Sequence, residues 1–304
     1  MITIPVGKRS IPLWLWLVSQ APAVVTVPVE QASHVFFARA TINERGPFWL
    51  TVDTGATLTV IDPGTAAGLG LRVTDAGARS NVGVTSGLTS VGTTRGARIK
   101  VGEADLFVPS PLYVVPVRAT QPFLKHRIDG ILGTDFLSRY VVEFDYDRGR
   151  VVLRQPGTVD GKELPPAVRV TTRGNVLLAP ASLRLADGTS LPSRLLVDTG
   201  SNQGLTLTSP FVRRHRLIER FPSRRATASA GIGGIVASPL VTLSSLSIGE
   251  AHFRQPDAAL SRETTGLHAS DSFDGILGAD LLRHFTVVVD YPGRRIFLRP
   301  ATRR

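Results

Sequence analysis

The chain of 304 residues contains no cysteine. That absence removes disulfides, thiolate nucleophiles, cysteine-ligated zinc, iron–sulfur clusters and lipoprotein-type lipidation together. Lysine is almost missing as well. Of 35 basic residues only Lys8, Lys100, Lys125 and Lys162 are lysine, so the other 31 are arginine, a skew that reads first as codon bias. Aromatic residues make up 7% of the chain, and arginine pairs such as Arg213-Arg214, Arg224-Arg225 and Arg303-Arg304 are scattered. The formal charge of +11 is therefore read as a solvated basic surface and no nucleic-acid partner is expected. No run approaches the ~20 apolar residues that span a bilayer, so no stable membrane anchor is expected. Long amphipathic patterns are absent too. The six histidines His34, His126, His215, His252, His268 and His284 show no paired ligand spacing, no Gly-x-Ser-x-Gly occurs, and Gly231-Ile232-Gly233-Gly234 lacks the third glycine of a dinucleotide loop.

What is present suits a folded protein, with 42% hydrophobic and 19% charged residues and room for two domains or two lobes. At the start, Lys8 and Arg9 precede the apolar run Ile11 to Val18, and Ala21-Pro22-Ala23 offers small residues for cleavage. This pattern resembles a secretory signal over residues 1–23 and points to an extracytoplasmic protein, secreted or periplasmic. The alternative is that Leu13 to Val18 packs as a first strand or helix of a cytoplasmic protein.

The remainder is written twice. An offset of 145 residues lays Leu50, Val52, Asp53, Thr54 and Gly55 on Leu195, Val197, Asp198, Thr199 and Gly200. At the same offset Asp129-Gly130-Ile131-Leu132-Gly133 falls on Asp274-Gly275-Ile276-Leu277-Gly278, and Asp145-Tyr146 falls on Asp290-Tyr291. Three separated blocks in one register mean duplication, with each copy long enough to be a lobe. The Pro- and Gly-bearing stretch Pro156 to Pro166 reads as the connection, which sets lobes at 24–157 and 167–304 and a linker at 158–166.

Short β-branched runs (Val24 to Val29, Phe48 to Val52, Val141 to Phe144, Val151 to Leu153) predict a mainly β protein, with hairpins around Asp145 to Gly149 and Pro292-Gly293. Brief helices are expected at Asp135 to Arg139, Asp280 to Arg283 and Pro210 to Glu219. Asp135 and Asp280 are read as residues of helix N-termini. Trp14, Trp16 and Trp49 are read as apolar anchors.

Asp53 and Asp198 each follow an apolar strand and open an Asp-Thr-Gly turn, and each stands 80 positions before the last Gly of an Ile-Leu-Gly (133 − 53 and 278 − 198). A strand end mounts a carboxylate rigidly. The missing Cβ of Gly55 and Gly200 lets two such loops approach, and the Thr54 and Thr199 hydroxyls can bond the opposite loop.

These residues, VDTGA at 52–56, VDTGS at 197–201 and the two DGILG segments, resemble the pepsin and retropepsin family of aspartic proteases. The continuations GTDFL and GADLL are more similar to the retropepsin-like branch, and the resemblance covers nearly all of residues 24–300. It implies two acid-protease-type β-barrel lobes related by a pseudo-twofold axis, with Asp53 and Asp198 as the catalytic pair. It also implies that Ile131, Leu132, Gly133, Ile276, Leu277 and Gly278 support the two loops from behind. A peptide or protein substrate would lie between the lobes, under a hairpin flap, with neither metal nor organic cofactor. Flap candidates are Gly83 to Arg95, around Ser86, Gly87 and Leu88, and Ala230 to Ser238, around Gly231, Ile232 and Gly233; an ordinary loop would have the same composition. The family's retroviral members commonly carry Arg after the supporting Gly and Asp after DTGA, where this chain has Thr134, Ala279, Thr57 and Asn202. The arginine clasp between two chains is therefore absent, as suits a single-chain, monomeric enzyme.

Two carboxylates held together share a proton and present an acid and a base at once, the chemistry of an endopeptidase that activates water. A bilobal protein that binds extended peptide without cutting it would keep the same fold. Ser201 follows one Asp-Thr-Gly and Ala56 the other, so a Ser201 hydroxyl bonded to Asp198 would leave Asp198 ionised and Asp53 protonated, with the pH profile set by that asymmetry. The leader reading has its own consequence: the mature protein should begin near Val24. Mass spectrometry of the purified protein checks this, and intact Met1 on protein recovered from cytoplasm would refute export.

Overall fold

Valine-rich runs bounded by turn residues become strands throughout the computed structural model, which describes residues 24–302 apart from 81–88, 103, 108–110, 159–163, 174 and 223–224. The expected leader, most of the expected linker, and Ser86, Gly87 and Leu88 lie outside the described residues. The run Val24 to Val29 is two strands, Val24–Val27 and Val29–Ala32, because Pro28 between them has no N–H to donate to a ladder.

Each copy builds one ten-stranded sheet. In the first, neighbours run Thr74–Ser80, Thr89–Thr94, Leu112–Val114, Val60–Ile61, Gly130–Leu132, Arg45–Val52, Val35–Ile42, Arg98–Val101 and Ala104–Phe107, with Val29–Ala32 added on Val35–Ile42. In the second, the same order is filled by Arg225–Gly231, Gly234–Thr242, Asp257–Leu260, Leu205–Leu207, Gly275–Gly278, Ser190–Asp198, Val176–Arg184, Ser245–Ile248 and Ala251–Arg254, with Thr171–Arg173 added on Val176–Arg184.

The duplication is thus structural, strand for strand. Each path is open among the described residues, so the two lobes are not closed barrels as the resemblance implied. In the second copy the two edges serve different neighbours. The hairpin of Arg225–Gly231 and Gly234–Thr242 reaches the Val117–Thr120 turn of the first copy, whereas Ala251–Arg254 lays Phe253 against Phe285, ring centroids 5.4 Å apart.

A third sheet joins the copies. Its six antiparallel strands run Val24–Val27, Arg150–Arg154, Val141–Asp145, Phe285–Asp290, Arg295–Pro300 and Val168–Arg169. At its centre Glu143 stands opposite Val288, its own counterpart 145 positions on. An antiparallel pair of equivalent residues is what a twofold axis through that point requires, so the register itself marks the pseudo-twofold axis. Both central strands are buried along their whole length, the pattern of a sheet covered on two faces.

Helices are few and short: Thr134–Leu137, Ala279–Leu282, Ser209–Arg214 and Leu217–Arg220 among them. The single helix expected over Pro210 to Glu219 is interrupted because Arg216 adopts a left-handed conformation, φ 51°. Asp135 and Asp280 lie in the first turns of their helices.

One hydrophobic core runs through both lobes and the shared sheet. Phe144, fully buried on the central strand Val141–Asp145, lies 6.2 Å from the ring of Phe36, which in turn lies 4.8 Å from Tyr146. Phe144→Ala would open a cavity where the first lobe meets the shared sheet. It should lower the unfolding free energy by about 3–5 kcal/mol, measured as a fall in the urea midpoint at unchanged slope; a loss below about 1 kcal/mol would show that the sheet does not carry the lobe's packing.

Candidate active site

The two Asp-Thr-Gly turns are held from behind by the Ile-Leu-Gly strands. Gly130–Leu132 lies parallel to Arg45–Val52, pairing Ile131 with Thr51 and Leu132 with Val52, and antiparallel to Val60–Ile61 on its other side. Gly275–Gly278 is threaded in the same way between Ser190–Asp198 and Leu205–Leu207. The chain leaving each turn therefore returns on the far side of the strand that supports it. The Asp53 N–H donates to the Leu132 carbonyl at 3.1 Å, and the turns are closed by Thr134 N–H to Ala56 O at 2.8 Å and Ala279 N–H to Ser201 O at 2.7 Å. A Cβ on Gly133 would stand 2.5 Å from the Leu58 carbonyl, and one on Gly278 would strike that of Gln203, so only glycine passes here. Alternation along these strands sends Leu132 and Leu277 into the core and Ile131 and Ile276 to the cleft.

The turns then meet across the axis. The Thr54 hydroxyl donates to Val197 O, and that of Thr199 to Val52 O, both at 2.7 Å. Each hydroxyl also accepts the other threonine's backbone N–H, at 3.2 and 3.1 Å. Both threonines are fully buried, so four hydrogen bonds shielded from water lock one lobe to the other. Gly55 and Gly200 complete the contact. A Cβ on Gly55 would lie 2.6 Å from Asp198 Cγ, and one on Gly200 would collide with the Asp53 carboxyl.

The carboxyl groups of Asp53 and Asp198 face each other across the axis, each lying against the glycine of the opposite turn, and each affects the other's hold on a proton. Asp53 Oδ1 accepts from the N–H groups of Gly55 (2.7 Å) and Ala56 (3.0 Å), and Asp198 Oδ1 from those of Gly200 and Ser201 (both 3.0 Å). Burial pushes both carboxyls above the ordinary carboxylate range, and the charge on Asp53 pushes Asp198 further still; the backbone donors oppose this in part. Neither has an ion-pair partner among the described residues. The pair thus holds one proton more readily than two separate aspartates would.

The Ser201 hydroxyl does not enter this arrangement. It accepts the Gln203 N–H at 3.4 Å and makes no hydrogen bond to Asp198. Each aspartate instead has the same two backbone donors, one from the residue at the Ala56/Ser201 position, and a main-chain N–H needs no hydroxyl. The expected side-chain asymmetry is therefore absent, and the proton belongs to the pair.

A family model described as aspartyl protease, of the retropepsin-like type, matches the chain twice, over residues 38–136 and 181–281. The chain belongs to the aspartyl protease family. No curated protein matches it.

In this aspartyl protease the cleft above the pair is a cavity of about 170 Å³. Thr120, Leu124 and Ile128 line it from the first lobe, and Asn202, Leu267 and His268 from the second. Of the flap candidates, Gly231 and Ile232 reach the cavity from the second-lobe hairpin, and Gly233 turns its tip at φ 100°.

Sequence reasoning gave no role to Asp129 and Asp274, which open the two DGILG segments. Asp129 is wholly buried, accepts the Trp49 N–H at 3.0 Å, and pairs with Arg118 (2.7 Å) and Arg127 (2.8 Å). Asp274 accepts the Arg194 N–H at 2.8 Å and pairs with Arg214 at 2.5 Å. They tie each supporting strand to the strand that carries the aspartate. The repeated Asp at both sites was the available signal. Arg118 and Arg214 are not equivalent in the duplication, so no pattern announced them.

A raised carboxyl pKa means that the folded aspartyl protease keeps a proton that the unfolded chain has released. The associated stability is present at low pH and is lost as pH climbs from the ordinary carboxylate range, about 4, through the raised values. Asp198→Asn removes that penalty. Its melting temperature relative to wild type should therefore rise steadily from pH 4 to pH 8 by scanning calorimetry, and a difference independent of pH would contradict the shared proton.

Proposed function

We propose that the chain is an aspartic endopeptidase that hydrolyses peptide bonds with a water activated between Asp53 and Asp198. The single observation that carries this reading is the pair itself: two carboxyls facing each other across the axis, each fixed by two backbone donors, with no cation paired to either among the described residues. The ionised member takes a proton from water as the water oxygen bonds to the scissile carbonyl carbon. The protonated member donates a hydrogen bond to the oxygen on which charge develops. Collapse of the tetrahedral species breaks the C–N bond, with the departing nitrogen taking a proton from the pair. No covalent intermediate with the protein forms.

An extended peptide or protein segment is the substrate, lying between the lobes beneath the second-lobe hairpin, whose Ile232 borders the same cavity as the aspartates. Glycines at 231, 233 and 234 give that hairpin the hinge freedom of a lid. Both aspartates come from one polypeptide, which supports action as a monomer. No helix among the described residues is long and apolar enough to cross a membrane. The leader-like composition of residues 1–23 supports action outside the cytoplasm.

One carboxyl cannot serve as acid and base together. Asp53→Asn and Asp198→Asn should each lower peptide turnover by about 10²–10⁴-fold while circular dichroism shows the fold intact. Turnover within tenfold of wild type in either variant would overturn the assignment.

A further inference from the structure

Among the described residues that line the cleft, His268 is the one titratable side chain besides the two aspartates. It sits on the short 3₁₀ turn Leu267–Ala269, entered through Gly266 at φ 75°. The turn is anchored by Leu267, which packs on the cluster of Val176, Leu178, Leu196, Phe273 and Ile276. The imidazole is 4% exposed, its Nδ1 has neither a hydrogen-bond partner nor contact with solvent, and no described residue bonds Nε2. Buried polar atoms are nearly always paired, so one left unpaired at the wall of a binding cleft calls for a partner from the ligand.

The duplication sharpens the point. The position 145 residues before His268 is Phe123, an exposed side chain, and the first lobe's wall is aliphatic, with Leu124, Ile128 and Ile131. The cleft is chemically lopsided about an otherwise symmetric axis.

We propose that His268 is a specificity-determining residue that selects an uncharged hydrogen-bonding side chain, a carboxamide foremost, on the substrate residue lying against the second lobe. The inference rests on the endopeptidase reading and deepens it. Burial holds the imidazole below its ordinary pKa, opposed in part by the Glu263 carboxylate, so the ring is neutral at neutral pH and offers one donor and one acceptor. A carboxamide offers the same two. A half-turn of the ring about χ2 exchanges Nδ1 with Cδ2, so the unpaired nitrogen can be turned to either side of the ring. A carboxylate would be stripped of water beside Leu267 and Ile276 with no cation among the described residues that line the cleft, which disfavours acidic side chains. An aliphatic side chain would leave the ring nitrogen unpaired.

The test is a set of matched peptides that differ only in Leu, Gln or Glu at each of the positions flanking the scissile bond, cut by the full chain, with kcat/KM measured for each. Wild type should favour Gln over Leu by about tenfold at one position on the second-lobe side, and should disfavour Glu there. In His268→Phe that ratio should fall to one or below at that position alone, and His268→Asn should retain a preference for Gln. Identical residue rankings in wild type and His268→Phe, or a loss uniform over all peptides, would overturn the inference while leaving the endopeptidase reading intact. Failure of the wild type to cut any peptide would overturn that reading and this inference with it.

Discussion

Everything at the centre of this protein depends on how closely two backbone turns can approach. The Thr54 and Thr199 hydroxyls each accept from the opposite turn and donate to the opposite strand, and these exchanges are possible only because Gly55 and Gly200 place nothing between the turns and the carboxyls they face. Add one methyl group at either glycine and the two aspartates must separate. The rest of the molecule is arranged to hold that contact. The Ile-Leu-Gly strands brace each turn, buried Asp129 and Asp274 fasten the brace, and the six-stranded sheet fixes the axis about which the turns meet.

Close approach has an electrostatic consequence that weak local interactions do not undo. Two carboxyls facing each other where burial raises both pKa values resist double ionisation, and the four backbone donors around them lower the cost of one charge without making room for two. Those donors are main-chain groups supplied equally by both copies, so the donor set around the pair is symmetric even though the flanking residues are Ala56 and Ser201. Asymmetry enters one layer out, in the cleft wall, where the aliphatic side of the first lobe faces His268 on the second.

The parts most legible in the sequence are those that duplication repeated. The offset of 145 residues, the strand-ending aspartates, the paired threonines and glycines and the supporting Ile-Leu-Gly strands are all placed by the fold where their pattern suggested, because each is set by backbone geometry that both copies share. Features that arise once were not legible. Arg118 and Arg214 converge on equivalent aspartates from inequivalent places, and His268 stands where the other copy has an exposed phenylalanine. Ser201 misled because a hydroxyl next to a carboxylate in sequence has several acceptors and donors in reach, and here the Gln203 N–H is its partner. The sheets are open where the resemblance implied barrels, and in the second copy one edge hairpin reaches the first copy beside the cleft while Phe253 on the other edge packs against Phe285 of the central sheet.

The central claim is that Asp53 and Asp198 share one proton. Carbon-13 NMR of the protein carrying carboxyl-labelled aspartate, titrated with pH and assigned through the single Asn variants, measures that directly. The account predicts two coupled steps for these residues, with one proton retained well above the range in which exposed aspartates lose theirs. Independent titration of both carboxyls near pH 4 would contradict it.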